Sequence, residues 1–300
     1  MAEPGWIDVA GPAGNLKALT WGSRDAPIAL CLHGFPDTAY GWRKFAPRLA
    51  ESGWRVVAPF MRGYAPSSIP NDGSYHGGAI MDDALRVREA AGGTDRDVVI
   101  GHDWGALAAT GLAAMPNSPF TKAVIMSLPV SAGFRGNVTE RAKLVRQLPR
   151  QLLRSWYIFY FQLPFLPERS APWILPLLWR RWSPGYRGAE EDLRHVDAAI
   201  GTPESWRAAL GTYRATIRNI RPPERYAELN RLWTEPPLLP SLYLHGRDDG
   251  CMTPAFAHWT EKVLPPGSEV AIVEHAGHFL QLEQPDKVAD LVLAFIGAPA

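Results

Sequence analysis

One run of five residues has the composition and spacing needed for nucleophilic chemistry. Gly101 to Gly105 reads Gly-His-Asp-Trp-Gly, which has the spacing of a G-x-S-x-G nucleophile elbow with a carboxylate at the position of the serine. The two glycines suit a sharp, strained turn in which larger side chains would clash. A carboxylate nucleophile attacks a saturated carbon and forms an alkyl ester, whereas a serine would attack an acyl carbon. Asp103 is therefore the candidate nucleophile.

Two later segments contain the acid and the base that such a nucleophile needs. Asp248 and Asp249 follow one apolar, strand-like run, and His275 and His278 follow another. Active-site groups of α/β enzymes lie just beyond the carboxyl ends of strands. The residues alone leave Asp248 and Asp249 open as the acid, and the family resemblance described in the next paragraph favours Asp249, which lies three residues after Gly246. The Gly-His pair and the apolar residues after it favour His278 as the base over His275.

The chain order of Asp103, Asp249 and His278 is that of the α/β-hydrolase triad. His33 to Pro36 reads HGFP and looks like the oxyanion-hole turn of that fold. With the run Gly277 to Pro285, these motifs resemble the epoxide hydrolases of the α/β-hydrolase fold, and the resemblance spans about residues 28 to 285. It implies that the backbone N–H groups of Phe35 and Trp104 form the oxyanion hole.

The resemblance also assigns two tyrosines. Tyr157 and Tyr213 match the tyrosine motifs that hydrogen-bond the epoxide oxygen in that family, and Tyr160 is the alternative to Tyr157. Opening an epoxide expels an alkoxide, which is a poor leaving group, so an acid must support the developing charge. A phenol with a pKa of about 10 can do so and stays protonated at pH 7.

Short apolar runs recur with helical stretches between them, which predicts an α/β layered fold. Runs of this kind are typical of strands buried on both faces of a mostly parallel sheet. A helix is predicted after the 101–105 run, and the spacing of Val288, Leu291, Val292 and Phe295 predicts a last helix that packs on the sheet. The predicted strands are residues 28–32, 55–58, 98–100, 123–126, 241–244 and 270–273.

The alternation of predicted strands and helices stops between about residues 131 and 222. This segment is helical in pattern, aromatic and interrupted by prolines. It contains 15 of the 31 basic and 7 of the 30 acidic residues, a formal charge of +8 against −7 for the remainder. The predicted organisation is an α/β-hydrolase core made of residues 1–130 and 223–300, with a helical cap at residues 131–222.

The function predicted from these features is epoxide hydrolysis, in which a lipophilic epoxide and water give a vicinal diol without a metal or an organic cofactor. A haloalkane dehalogenase is the main alternative because it shares the aspartate nucleophile. Such enzymes usually carry a polar residue where this chain has Phe35, and they do not need paired tyrosines. A non-catalytic ligand-binding protein on the same fold is a further alternative.

The composition and the N-terminal sequence bear on the partners, the cysteines and the location of the protein. A formal net charge of +1 gives no support to a nucleic-acid partner. Cys31 and Cys251 form no disulfide framework, and Cys31 is expected to be a buried apolar residue. The N-terminus shows no secretory pattern, so a cytoplasmic location is expected. Basic, tryptophan-containing segments of the cap leave contact with anionic membranes open, although a cover over the substrate pocket is the preferred interpretation. The oligomeric state is not readable.

Overall fold

The computed structural model describes residues 3–135 and 138–299 of the protein, and an eight-stranded sheet lies at its centre. The strands are β1 (Gly5–Val9), β2 (Leu16–Trp21), β3 (Ile28–Leu32), β4 (Arg55–Pro59), β5 (Val98–His102), β6 (Lys122–Met126), β7 (Ser241–Gly246) and β8 (Glu269–Val273). Their order in the sheet is β1-β2-β4-β3-β5-β6-β7-β8. From β4 to β8 neighbouring strands are parallel, whereas β1 and β2 form an antiparallel edge.

The middle of the sheet is buried on both faces. Every residue of β3, β4 and β5 is buried, because helices cover both sides of a parallel sheet and leave no solvated face. This confirms the predicted α/β-hydrolase fold, and all six predicted strands form. The hairpin of β1 and β2 has no counterpart among the predicted strands. In β1 only Val9 is fully buried, so this strand lacks the continuous apolar run on which the prediction relied.

The described residues form twelve α-helices, and five of the six that lie between β6 and β7 form the segment that is called the cap below. The helices of the core are α1 (Ala46–Glu51), α2 (Gly77–Ala90), α3 (Trp104–Ala113), α9 (Glu224–Leu232), α10 (Ala257–Glu261), α11 (Leu280–Glu283) and α12 (Pro285–Ile296). Between β6 and β7 the chain also forms α4 (Val138–Arg154), α5 (Trp156–Tyr160), α6 (Ala171–Trp182), α7 (Ala189–Ile200) and α8 (Pro203–Ile217). Helix α9 follows the cap in the chain and packs on α2 and α3, which flank the sheet.

The outer face of α4 combines apolar and basic side chains. Leu148, Leu152 and Leu153 are exposed, and so are Arg146 and Arg150. Among the helices of the described ranges, none is both long enough and apolar enough to cross a bilayer. Contact of the cap with a membrane surface stays a prediction.

Buried polar contacts join the cap to the loop that follows β3. The indole Nε1 of Trp179 in α6 donates to the carbonyl oxygen of Pro36 at 3.0 Å. Arg43 forms an ion pair with Asp192 of α7, whose side chain is buried. A buried pair of this kind gives strong directional contacts but little net stability, so its main effect is to fix how the cap meets the core.

Asp37 lies buried in the same loop. Its carboxylate accepts a hydrogen bond from the backbone N–H of Thr38 at 2.7 Å and faces Gln281 Nε2 at 3.3 Å. Burial raises the pKa of Asp37 to about 8, the charge of Asp192 adds to this, and Thr38 and Arg43 act in the opposite direction. The native protein therefore keeps a proton at this site over a pH range in which the unfolded chain has lost it.

We expect this proton to make the free energy of unfolding fall between pH 5 and pH 8, by up to about 1.4 kcal/mol per pH unit from this group. The sign follows because the native state binds more protons than the unfolded state across that window. In Asp37→Asn this contribution is absent, so urea unfolding should show a shallower pH dependence. Exposed Asp248→Asn is the control and should keep the wild-type slope. Parallel profiles for Asp37→Asn and the wild type would contradict the prediction.

Candidate active site

Asp103 lies at the turn between β5 and α3 in a backbone conformation that side chains rarely adopt. Its φ is 53° and its ψ is −121°, which for a residue other than glycine costs on the order of 1–3 kcal/mol. The side chain is 3% exposed. Its Oδ1 accepts a hydrogen bond from the backbone N–H of Phe35 at 2.8 Å, and Trp104 begins α3 directly after it. The turn therefore brings the carboxylate to the backbone N–H of Phe35.

Glycines let the elbow pack this closely. A Cβ at Gly105 would overlap the carbonyl oxygen of Leu32 at the end of β3, and a Cβ at Gly101 would overlap the carbonyl of Gly105. A Cβ at Gly34 would overlap the carboxylate of Asp103. The contacts of Gly105 and Gly34 join the 33–36 turn to the 101–105 turn, and the contact of Gly101 lies within the second turn. The two glycine-containing motifs of the sequence therefore form one unit.

His278 lies between two carboxylates. Its Nδ1 is 3.0 Å from Asp249 Oδ2, and its Nε2 is 3.5 Å from Asp103 Oδ2. The imidazole is fully buried. Nε2 lacks a conventional hydrogen-bond partner among the described residues. With Nδ1 held by Asp249, the ring has one nitrogen free to take a proton beside Asp103.

The carboxylate of Asp249 is held by several donors. Its Oδ1 accepts hydrogen bonds from the backbone N–H groups of Cys251 at 2.6 Å and Met252 at 2.9 Å. Its Oδ2 lies 3.0 Å from His278 Nδ1 and 3.2 Å from His245 Nε2. Donors on both oxygens keep the acid ionised and fix its direction.

These contacts shift the pKa values of the pair in opposite directions. Burial by itself would raise the pKa of Asp249, but His278 and His245 lower it well below the usual range. Burial would lower the pKa of His278, but Cys251, Asp249 and Asp103 together raise it well above its ordinary value. The pair is thus arranged so that the imidazole can hold a proton in a site from which water is largely excluded.

Tyr157 from α5 and Tyr213 from α8 enter the same enclosed region from the cap. Both phenols are 3% exposed, and their ring centroids are 5.8 Å apart. Tyr213 packs edge-on against Trp104 at 5.0 Å. Burial is the main cause that raises the pKa of each phenol well above its usual value, and the nearby charge of Asp103 acts in the same direction. Both phenols therefore stay protonated and can donate a hydrogen bond.

The alternatives left open by the sequence lie elsewhere. Asp248 and His275 are exposed, whereas Asp249 and His278 are in contact. Tyr160 packs its ring near Trp156 and Trp173 on the outer side of the cap, at 6.0 and 5.9 Å.

Besides His245, two further histidines near the site contact backbone groups. His33 Nδ1 lies 2.9 Å from the carbonyl oxygen of Gly34, and its Nε2 accepts from the N–H of Met61. His102 Nε2 lies 2.8 Å from the carbonyl oxygen of His278. These contacts fix the orientation of both rings through the backbone.

Sequence reasoning missed the participation of Cys251. Its Sγ lies 3.5 Å from the hydroxyl oxygen of Tyr157 and within 4.8 Å of a ligand atom of both Asp249 and His278. Three such groups could in principle coordinate a soft cation, but both oxygens of Asp249 already have hydrogen-bonding partners. The only sequence signal was the position of the cysteine two residues after the acid, which no charge or repeat pattern emphasises.

Trp182 was also missed. Its ring lies 4.9 Å from that of Tyr157 and 5.0 Å from that of His278, and its carbonyl oxygen accepts the His278 N–H at 3.0 Å. It comes from the C-terminal end of α6, so one cap residue touches the base and one of the phenols. A tryptophan among twelve in the sequence gives no such indication by itself.

The fold is that of an α/β hydrolase, and the carboxylate of Asp103 lies at the turn between β5 and α3. The profile of the α/β hydrolase fold family matches residues 27–285, and the chain belongs to that family.

Individual relatives match most of the chain. The chain is 31% identical over 309 residues to the AB hydrolase superfamily protein YfhM of Bacillus subtilis, with 94% of each chain covered. It is 28% identical over 325 residues to Epoxide hydrolase A of Mycobacterium tuberculosis, again with 94% of each covered. It is 28% identical to human Epoxide hydrolase 4, covering 92% of this chain and 74% of that protein. The crystal structure of Epoxide Hydrolase A from Mycobacterium thermoresistibile matches with a TM-score of 0.72 at 23% identity, covering 97% and 98% of the two chains.

We expect Gly105→Ala to destabilise the protein by on the order of 1–3 kcal/mol, because the new methyl group would overlap the Leu32 carbonyl. Urea unfolding measures this loss. Gly185→Ala is the matched control, since a Cβ there meets nothing within 4 Å, and it should leave the unfolding midpoint nearly unchanged. Equal midpoints for both variants would show that the elbow tolerates a side chain at residue 105.

Proposed function

We propose that this protein is an epoxide hydrolase that converts a lipophilic epoxide and water into a vicinal diol. The observation that carries the proposal is the enclosure of two protonated phenols, Tyr157 and Tyr213, with the carboxylate of Asp103. A carboxylate and two acids in one site match a reaction that forms a bond to carbon and releases an alkoxide. The similarity to proteins named epoxide hydrolases supports the same chemistry.

In the first step, an oxygen of Asp103 attacks one carbon of the epoxide and the carbon–oxygen bond of the ring breaks. Tyr157 and Tyr213 donate hydrogen bonds to the ring oxygen, and one of them transfers its proton to the developing alkoxide. The products are a hydroxyalkyl ester of Asp103 and a tyrosinate. Because the phenols are buried beside Asp103, no water has to reorganise as the charge moves.

In the second step, His278 takes a proton from a water molecule, which attacks the ester carbonyl of Asp103. The Asp249 carboxylate orients the imidazole through Nδ1 and stabilises its charged form. The Phe35 N–H already donates to Oδ1, and the Trp104 N–H is the second proposed donor. The oxyanion that forms from the ester carbonyl would therefore lie next to both donors. One such donor is typically worth about 3 kcal/mol in the transition state.

The walls of the site favour a lipophilic substrate. The ring of Phe35 lies within 6.4 Å of four aromatic rings, which belong to Phe161, Trp182, Trp206 and Tyr213. Apolar walls with a few converging polar groups are typical of small-molecule sites. Since Asp103 and both phenols are only 3% exposed, entry of a substrate requires side chains of the cap to move aside.

We expect Asp103→Ala to abolish turnover of styrene oxide, because no ester can form. His278→Gln should still form the ester but fail to hydrolyse it, so a covalent adduct should accumulate on Asp103. Intact-protein mass spectrometry measures the adduct, and chiral chromatography measures the diol. His275→Gln is the matched control because that imidazole is exposed, and it should turn over like the wild type.

Absence of an adduct with any reactive epoxide would refute the ester intermediate. Chloride release from chloroalkanes without diol formation from epoxides would instead support the dehalogenase alternative. A wild-type protein inactive on both substrate classes would favour the ligand-binding alternative. A single turnover in heavy-oxygen water should label the carboxylate of Asp103, because the first diol receives its new oxygen from the enzyme.

We expect Tyr157→Phe and Tyr213→Phe each to slow ester formation on the order of 100-fold, since each removes one acid from the ring oxygen. Rapid-quench mass spectrometry of the ester measures this step separately from hydrolysis. Tyr160→Phe is the control and should form the ester at the wild-type rate, because its ring packs on the outer side of the cap. Equal rates of ester formation in all three variants would show that Tyr157 and Tyr213 do not act as acids in this step.

A further inference from the structure

Cys251 lies between the acid and the base of the site, and the mechanism above does not use it. Its side chain is 1% exposed. Its Sγ is 3.5 Å from the hydroxyl oxygen of Tyr157, within the usual range for a hydrogen bond that involves sulfur, and within 4.8 Å of a ring nitrogen of His278. The thiol is therefore the group that connects the phenol of the cap to the imidazole of the core.

After one turnover, one proton is on Asp103 although the tyrosinate needs it for the next turnover. Ester formation converts a tyrosine into tyrosinate, because the phenol protonates the alkoxide. Hydrolysis of the neutral ester by one water gives the diol and a carboxylic acid at Asp103. The proton of this acid must leave before Asp103 can attack again, and His278 Nε2, 3.5 Å from Asp103 Oδ2, is the adjacent base. One proton has to travel from the His278 side to the phenol.

The enclosure of the site limits how this proton can move. His278 and Asp249 are at most 1% exposed, and Tyr157 is 3% exposed. Bulk water therefore has little access to either end of the path. His278 Nε2 faces Asp103 Oδ2 at 3.5 Å, and that carboxylate has to be ionised for the next attack, so the proton on the imidazole needs another acceptor. A thiol can both donate and accept a proton.

We infer that Cys251 returns the proton from His278 to Tyr157 at the end of each catalytic cycle. The S–H proton passes to the tyrosinate oxygen and forms an O–H bond. The resulting thiolate takes the proton from the protonated imidazole, which becomes neutral, and the S–H bond forms again. No oxidant or co-reactant is consumed, and the Asp103 carboxylate, the phenol and the thiol all return to their starting states. This role rests on the proposed function and acts through Tyr157 and His278.

The test compares Cys251→Val and Cys251→Ser with the wild type on styrene oxide. The valine has a similar size but cannot transfer a proton, whereas the serine can donate and accept. We expect Cys251→Val to form the ester at the wild-type rate but to lose about 10-fold or more in kcat. Stopped-flow ultraviolet absorbance should detect tyrosinate that persists in this variant, and the solvent isotope effect on kcat should rise. Cys251→Ser should restore most of kcat and remove the persistent tyrosinate.

The outcomes separate this inference from the proposed function. A wild-type protein that forms neither ester nor diol overturns the epoxide hydrolase proposal itself. Wild-type kcat in Cys251→Val overturns the relay alone and leaves the thiol as packing. Slower ester formation in Cys251→Val also overturns it, because the thiol would then act in the first step. If the valine variant fails to fold, Cys251→Ala replaces it: a lower kcat with persistent tyrosinate supports the relay, and a wild-type kcat overturns it. Cys31→Ala, which removes the buried thiol of β3, is the control and should behave as the wild type.

Discussion

The hydrogen bond from the Phe35 N–H to Asp103 Oδ1 is the contact on which the rest of the site depends. It holds a buried carboxylate in one direction at a turn where the backbone has a φ of 53°. Such a conformation persists only where the surroundings enforce it. Here the enforcing elements are the end of β3, the end of β5 and the beginning of α3, which approach so closely that Gly34, Gly101 and Gly105 cannot carry side chains.

The cap supplies the two buried phenols that lie in the same enclosed region as the Asp103 carboxylate. In water, a phenol would exchange its hydrogen bond to a reacting oxygen for one to solvent. Under the cap, Tyr157 and Tyr213 are nearly inaccessible to solvent, so their hydroxyl groups are available to a group bound beside Asp103. The same exclusion of water strengthens the pairing of His278 with Asp249, because charges interact more strongly at low dielectric. The contacts of Trp179 with Pro36 and of Arg43 with Asp192 hold the cap in position over the core.

Much of this could be predicted from the sequence because the signals are local. Strands β3 to β8 contain apolar runs, and Asp103, Asp249 and His278 each follow such a run. The hairpin of β1 and β2 escaped prediction because its burial is set by pairing with β4 rather than by an apolar run of its own. Cys251 and Trp182 escaped it because their importance comes from neighbours that are distant in sequence, namely Tyr157 and His278.

The sequence by itself determined the type of fold, the carboxylate at the elbow and the set of candidate groups, since turn chemistry and strand patterns are encoded in neighbouring residues. The tertiary structure alone decided which groups meet. It buried Asp249 against His278 while leaving Asp248 and His275 in solvent, and it directed Tyr157 inward and Tyr160 outward. The physical reason is that adjacent residues share nearly the same local preferences, whereas burial and hydrogen bonding depend on elements brought together only when the cap closes over the core.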